Sequence, residues 1–314
     1  MHKVLLICII LLSLTTCSKD FEPSILKLDN VKGKDNQYSV PAECSEYLSN
    51  ANGKVINVAV LNFANKTAYS DSKISSELGN NIRRAFVALG GYNVIDTESV
   101  VRKGKITDRD DEALAAALGA DYLVNGSIDN FRALLAANSC DESGKCTYRV
   151  TIDVTLKVTK VKTSEQVYKK TSHTYFNAAY TDREVLTDEK MIGLVSSALN
   201  RYFRNLITDE LLSAVPVRAY VVQLRGGKKA ALINATRDSG IREGMLFRPY
   251  SVSVETEYVT GKSYCHLTPM PFTLKASKYI NDTGTWLEVG SASGKVLKQL
   301  NVGTIVQRIV SDKK

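Results

Sequence analysis

The chain has 314 residues, of which 44% are hydrophobic and 24% are charged, and its formal net charge at pH 7 is +8. This composition excludes an intrinsically disordered, collagen-like or low-complexity protein. At about 150 residues per domain, the length predicts two domains that are each large enough to bury a core.

Residues 1–16 are predicted to be a secretory signal peptide that is removed. Lys3 supplies the positive charge at its start, and the apolar run Val4–Leu14 follows. A helix of that length spans about 16 Å, which is too short to cross a hydrocarbon core of about 30 Å. The mature protein is therefore expected in an exported compartment.

The end of this segment, Leu14–Cys17 (LTTC), resembles a bacterial lipobox, although Thr16 stands where that motif has Gly, Ala or Ser. The resemblance implies cleavage before Cys17 and its lipidation with several acyl chains, which give stable anchoring. Ser18 in the next position implies sorting to the outer membrane, with the protein on its periplasmic face. The alternative is an ordinary signal peptide that is cut nearby, with Cys17 incidental.

Four cysteines remain after the signal peptide and the lipidation position: Cys44, Cys140, Cys146 and Cys265. An even number in an oxidising compartment permits disulfides, with three possible pairings. Cys140 and Cys146 flank a short polar segment that is expected to be a hairpin turn, so we predict a disulfide between them; the alternative is two free thiols. The pairing of Cys44 with Cys265 stays open. No two cysteines have C-x-x-C spacing, which argues against a zinc site.

Residues 17–53 are predicted to form a flexible, lipid-anchored tether, because they are polar and lack a sustained hydrophobic period. A flexible chain of that length has an r.m.s. span of about 30–35 Å.

Residues 54–214 show an alternation of strand and helix patterns, which predicts parallel strands with helices packed on the sheet. The predicted elements are a strand at Val55–Phe63, a helix from Ser70 or Asp71 to Leu89, a strand at Tyr92–Ile95, a helix at Asp110–Leu118 and a strand at Asp121–Asp129. The first strand is a near-continuous apolar run, as expected for burial on both faces.

The remainder of this region predicts antiparallel strands and a long helix. Thr147–Thr159 alternates apolar and polar residues, as expected for a half-exposed strand, and Gln166–Phe176 is predicted to be its neighbour. Apolar residues at helical spacing predict a helix at Asp188–Leu212, before Pro216.

Residues 217–314 are predicted to form a small all-β barrel or sandwich of five to seven strands. The apolar runs that predict strands are Ala219–Leu224, Ala230–Ile233, Phe272–Leu274, Thr285–Val289 and Thr304–Ile309. The fold class is therefore α/β (α+β), a mixed sheet with flanking helices followed by an all-β domain.

Two segments of the first domain resemble the CsgG/TolB-N-like superfamily of bacterial envelope lipoproteins. These are Val58–Phe63 (VAVLNF) and Leu118–Ile128 (LGADYLVNGSI), which are similar to the opening and central strands of that fold; Val154–Tyr168 is similar to its following hairpin. The resemblance covers about residues 54–212. It implies a body that associates side by side with copies of itself.

A second resemblance lies in the all-β domain. Ala231–Phe247 and Asn301–Val306 are similar to segments of the small C-terminal β-domain of flagellar assembly protein T and related envelope lipoproteins. The resemblance implies turns with positive φ at Gly240 and Gly244. Met245 and Thr304 stand where that family has an acidic residue.

No residue pattern predicts catalysis or a bound cofactor. The chain lacks a G-x-G-x-x-G motif and a complete phosphate-binding loop, and the mature chain has only two histidines, His173 and His266. Each histidine is interpreted as a surface or packing residue. The basic residues are scattered, without the basic helix or aromatic stripe of a nucleic-acid-binding module, so no nucleic-acid partner is expected.

The combined interpretation is a non-enzymatic scaffold on the periplasmic face of the outer membrane. It is expected to form rings and to join a large envelope machine, such as a flagellar motor ring or a secretion apparatus. One alternative is a CsgG-like secretion pore, for which only Tyr148–Val158 has the alternation of a membrane strand. The other is an LpoB-like activator of peptidoglycan synthesis, which the additional β-domain does not favour.

Overall fold

The computed structural model describes residues 41–45, 51–67, 72–95, 97, 111–142, 146–180, 193, 197, 211–290 and 294–310. The fold is mixed α+β, with two sheets, few helices and a majority of strands. The predicted signal peptide, Cys17, most of the predicted tether and most of the helix predicted at 188–212 lie outside the described residues.

The first sheet has the order β3-β1-β4-β5-β6, with β2 beside β4. Its strands are β1 (Ile56–Val60), β2 (Ala64–Asn65), β3 (Tyr92–Ile95), β4 (Tyr122–Cys140), β5 (Cys146–Lys160) and β6 (Glu165–Tyr180). β1 is parallel to β3 and β4, whereas β4, β5 and β6 form an antiparallel meander. The predicted mixed sheet is confirmed.

Helices α1 (Ser72–Leu89) and α2 (Asp111–Ala117) cover opposite faces of β1. Val58 and Val60 share a core with α1, and Ala59 shares a second core with α2. The α1 residues in the first core are spaced at i+4 and i+3: Leu78, Ile82, Phe86 and Leu89. Burial on both faces explains why the sequence of β1 is apolar throughout.

Strand β4 extends 11 residues beyond Asp129, where the sequence predicted its end. The register against β5 shifts between Ile128 and Asn130, which marks a β-bulge. The extra residue reverses the alternation, so that Ile128 and Phe131 both join the core under α1. The prediction failed because a strict period of two does not continue through a bulge.

The second sheet closes on itself. Its strands are β7 (Arg218–Arg225), β8 (Ala230–Ile233), β9 (Leu246–Thr256), β10 (Ser263–Pro269), β11 (Leu274–Asn281), β12 (Gly284–Val289) and β13 (Ile305–Ile309). The order is β10-β9-β11-β12-β8-β7-β13, and β13 also pairs with β9. Six antiparallel strands therefore form a small closed barrel, with β10 attached outside to β9.

Two strands of the second sheet, β9 and β10, had not been predicted. Strand β11 begins where the predicted run Phe272–Leu274 ends. The polar residues of β10 explain its omission, since it lies at the outer edge and is mostly exposed. Gly240 and Gly244 have φ values of 75° and 82°, which confirms the predicted turns.

Residues 41–45 and 51–53, here called the N-terminal strap, pack on the barrel. Cys44 is bonded to Cys265 of β10, and Cys44 and Ala51 are fully buried in a cluster with Val252 and Ile305. The predicted tether extended to residue 53, which is too far, because a disulfide and apolar burial fix its last described residues on the barrel.

The two domains meet through buried backbone and side-chain contacts. Arg308, which is only 8% exposed, donates from Nη1 to the carbonyl of Gly90 at 2.7 Å, and Tyr92 Oη donates to the carbonyl of Val215 at 2.6 Å. Burial lowers the pKa of Arg308, an effect that nearby Tyr92 opposes. The Arg308 contact joins the residue after α1 to β13 of the barrel, and the Tyr92 contact joins β3 to the segment that leads into β7.

Candidate functional site

The structure places the predicted cysteines in two disulfides. Cys140 and Cys146 are bonded across the end of the β4–β5 hairpin, with Cα atoms 3.9 Å apart. Cys44 and Cys265, whose pairing the sequence left open, are bonded across a sequence separation of 221 residues. The predicted lipidation residue Cys17 lies outside the described residues.

Among the described residues, His173 and His266 do not belong to a cluster with evident catalytic geometry. His173 Nδ1 forms a short contact with Asp153 Oδ1 on the exposed side of β5 and β6, and His266 lies on exposed β10. Within the described residues, no group of three or more His, Cys, Asp or Glu side chains is arranged to hold a metal ion. No helix in the described part of the chain combines the length and apolar character needed to span a bilayer.

The side of β4, β5 and β6 that faces away from α1, here called the outer face, presents a mixed polar and aromatic surface. Paired positions place these residues on it: Arg132, Leu134, Arg149, Thr151, Asp153, Thr155, Lys157, Lys169, Thr171, His173, Tyr175 and Asn177. Leu134 and Tyr175 are 62% and 64% exposed. The guanidinium of Arg149 lies 5.4 Å from the centre of the Tyr175 ring, a cation–π contact.

A hydrogen-bonded network around Asp129 borders this surface. Ser127 Oγ and Lys66 Nζ donate to its carboxylate at 2.6 and 2.9 Å, and the Thr155 hydroxyl forms a further short hydrogen bond. Burial acts to raise the pKa of Asp129, but the donors from Ser127, Thr155 and Lys66 outweigh it and lower the pKa to about 2. Asp129 is thus a structural anion that binds β2 to β4 and β5.

A pocket of about 320 Å³, here called the junction pocket, opens between the domains. Its walls come from the N-terminal strap, the first residues of β1 and β4, the end of β5 and the start of β7. The lining residues are Asn52, Lys54, Val55, Ile56, Asn57, Ala120, Asp121, Tyr122, Lys160, Lys162, Pro216 and Arg218. Four of these side chains are cationic, and one is a carboxylate.

Sequence reasoning did not find the junction pocket. Its charged residues are contributed by segments far apart in the chain, and none of them forms a recognised motif. The run Lys160-Val161-Lys162 at the end of β5 was the local signal, but a strand end with two lysines is equally typical of an exposed turn.

Several solved structures are each similar to about half of this chain. No protein-family model matches, and no curated protein matches. Lipoprotein GNA1162 from Neisseria meningitidis is 11% identical, with 48% of this chain and 99% of that chain covered and a TM-score of 0.31. The PelC dodecamer from Paraburkholderia phytofirmans is 17% identical, with coverages of 52% and 92% and a TM-score of 0.26.

The LpoB C-terminal domain from Salmonella enterica is 15% identical, with 42% of this chain and 92% of that domain covered and a TM-score of 0.26. Likenesses of this size do not assign a family or a function to the chain.

Proposed function

We propose that the protein is a non-enzymatic lipoprotein of the bacterial envelope, anchored through Cys17 on the periplasmic face of the outer membrane. In this proposal it acts as a scaffold that associates with copies of itself, in a ring, within a larger machine such as a flagellar motor ring or a secretion apparatus. The observation that supports the proposal is the open edge at β6, beside the outer face.

Strand β6 has 16 residues and, among the described strands, pairs only with β5. The outer edge of a strand presents backbone N–H and C=O groups that can pair with another chain. Tyr175 of β6 and Arg149 of β5 form the exposed cation–π pair next to this edge. Tyrosine and arginine are the residue types that most often contribute binding energy at protein interfaces.

The first sheet is open at both sides within the described residues, at β3 and at β6. A contact between two different surfaces of identical subunits is heterologous, and such contacts close into rings when the rotation permits. Two unlike edges on one sheet therefore favour a ring over a two-fold dimer.

The test is sedimentation velocity of the mature chain over a range of concentrations. The variant Val167→Asp/Tyr175→Asp should reduce the protein to monomers, because it places two charges on exposed positions of β6, the strand at the proposed interface. Val87→Asp is the matched control, since Val87 is 58% exposed on α1, away from the outer face. A monomeric wild type at all concentrations, or equal dissociation by the control, contradicts the ring.

The anchor is tested separately by metabolic labelling with a fatty-acid analogue. Cys17→Ala should abolish labelling and release the protein from the membrane fraction. Retention of the label by this variant would show that Cys17 is not the lipidated residue.

A second candidate is the export pore, favoured by the length of the β4–β5 hairpin. Its strands have 19 and 15 residues, more than the roughly 9–11 needed to cross a membrane. The charged residues Arg132, Arg149 and Asp153 on the outer face count against insertion. Conductance of the purified mature protein in planar bilayers would favour the pore over the scaffold.

A further inference from the structure

The junction pocket has the charge of an anion-binding site. Lys54 directly follows the N-terminal strap, Lys160 and Lys162 lie at and just after the end of β5, and Arg218 is the first residue of β7. Repulsion among like charges that converge on one pocket is relieved when an anion binds between them. The convergence of cations from three separate segments of the chain is the first observation that points to a ligand.

The one carboxylate in the pocket is committed to the backbone. Asp121 Oδ2 accepts a hydrogen bond from the Asn57 N–H at 2.8 Å, and the Asp121 N–H donates to the Asn57 carbonyl at 2.8 Å. Asp121 thus joins the start of β1 to the start of β4. Lys54 and Lys162 form no ion pair with the described residues.

The positions of two polar groups suit an anion that carries a polar body. Arg218 Nε donates to Gln307 Oε1 at 3.1 Å, which orients the guanidinium plane. Burial raises the pKa of Tyr122, as do the nearby carboxylates of Asp121 and Glu165, whereas Lys160 and Arg218 lower it. The Tyr122 phenol can donate a hydrogen bond to a ligand in the pocket. Arginine and lysine are the usual partners of phosphate oxygens, and the pocket volume is that of a small-molecule site.

We propose that the junction pocket binds a phosphate group carried on a small polar body such as a sugar. The basic side chains would contact the phosphate, and the amides of Asn52 and Asn57 with the Tyr122 phenol would face the sugar hydroxyls. The same chemistry occurs in free sugar phosphates and in the phosphorylated headgroups of lipids. This proposal does not depend on self-association.

The site also couples the two domains, because its walls belong to both. A ligand that contacts Lys54, Lys160 and Arg218 together binds only when the segment after the N-terminal strap and the start of β7 hold their present positions against the end of β5. Binding should therefore raise the midpoint of thermal unfolding in proportion to ligand saturation.

The experiment measures binding to the mature chain by calorimetry, with inorganic phosphate and glucose 6-phosphate as soluble probes. Vesicles of phosphatidylglycerol, with phosphatidylcholine vesicles as reference, form the lipid arm and are measured by co-sedimentation. If glucose 6-phosphate binds, a free sugar phosphate is sufficient to occupy the pocket. If only the phosphatidylglycerol vesicles bind, the phosphate belongs to a lipid headgroup.

The first variant is Lys54→Gln/Lys162→Gln, since both side chains are exposed and carry little structural risk. We expect affinity to fall about tenfold or more, in line with the loss of two charge-assisted contacts. Lys157→Gln/Lys169→Gln is the matched control: these lysines pair across β5 and β6 on the outer face, and the change in net charge is identical.

Arg218→Gln is a second variant, whose folding is checked by circular dichroism. Equal loss of binding in the control and in the pocket variants would overturn the proposal, because general surface charge would then be the cause. Failure of the wild type to bind any of the probes would overturn it as well. The oligomeric state is measured in parallel. A protein that forms oligomers but binds no probe contradicts only the phosphate-binding proposal, whereas a monomer that binds a probe contradicts only the scaffold proposal.

Discussion

Two glycines bring the domains into backbone contact. A Cβ atom at Gly240 would lie 2.2 Å from the backbone nitrogen of Gly91, and Gly240 itself has a φ of 75°. Gly91 follows the end of α1, and Gly240 lies in the turn before β9. A side chain at Gly240 would therefore force the backbone of Gly91 away from the turn before β9, and with it the first sheet away from the barrel.

We predict that Gly240→Ala lowers the free energy of unfolding by several times more than Gly261→Ala. Gly261 has a φ of 67° but no neighbour within 4 Å of its Cβ position, so that change costs only the left-handed backbone strain of about 1–2 kcal/mol. Urea unfolding of both variants measures the difference. Equal losses of unfolding free energy would mean that the contact between Gly91 and Gly240 adapts to the added methyl group without cost.

The Asp129 network predicts a dependence of stability on pH. The native pKa of about 2 lies below the ordinary carboxyl pKa of 3.8, so the ionised carboxylate stabilises the fold above about pH 4. This contribution is lost as the pH falls from about 4 to about 2, where the native carboxylate becomes protonated.

We predict that Asp129→Asn lowers the free energy of unfolding by about 1–2 kcal/mol near neutral pH, a value reduced for partial solvent screening. The gap to the wild type should narrow towards pH 2. Urea unfolding across this range, with Asp282→Asn at an exposed turn as control, makes the measurement. A gap that is constant with pH would show that the charge of Asp129 contributes nothing.

At the level of elements, regular periodicity predicted regular structure. The predicted and observed bounds of Tyr92–Ile95 are identical, and the predicted helix that ends at Leu89 agrees with α1 at that end. The β-bulge in β4 and the polar edge strand β10 could not be found in this way, since both interrupt the alternation on which strand prediction depends. The junction pocket needs tertiary structure, because Lys54 and Arg218 are distant in sequence.

The two disulfides should differ in their effect on stability. They close loops with sequence separations of 6 and 221 residues, and the entropy model assigns about 2 and about 5 kcal/mol to loops of these sizes. We predict that Cys44→Ser/Cys265→Ser destabilises the protein more than Cys140→Ser/Cys146→Ser. Guanidinium unfolding of the two double variants tests the order, and the reverse order would indicate that the β4–β5 hairpin depends on its cross-link.

At the level of the whole molecule, the interface predicts that the two domains unfold together. The single tryptophan, Trp286, is a buried residue of β12 in the barrel, whereas helices α1 and α2 pack on the first sheet. Trp286 fluorescence therefore reports on the barrel, and the helical band of the far-UV circular dichroism spectrum reports largely on α1 and α2. We predict coincident midpoints in urea, as two-state unfolding requires; separate midpoints would show independent domains.

The Cys44–Cys265 bond also determines how a pulling force on the N-terminal end of the chain passes through the molecule. The bond closes a covalent loop that contains the entire first sheet. Tension that enters ahead of residue 41 reaches β10 directly through the bond, and then β9 through the hydrogen bonds between these strands. If the contact that holds the protein in place lies on the barrel, the force passes from Cys44 to Cys265 and into the barrel. The first sheet then carries no mechanical load.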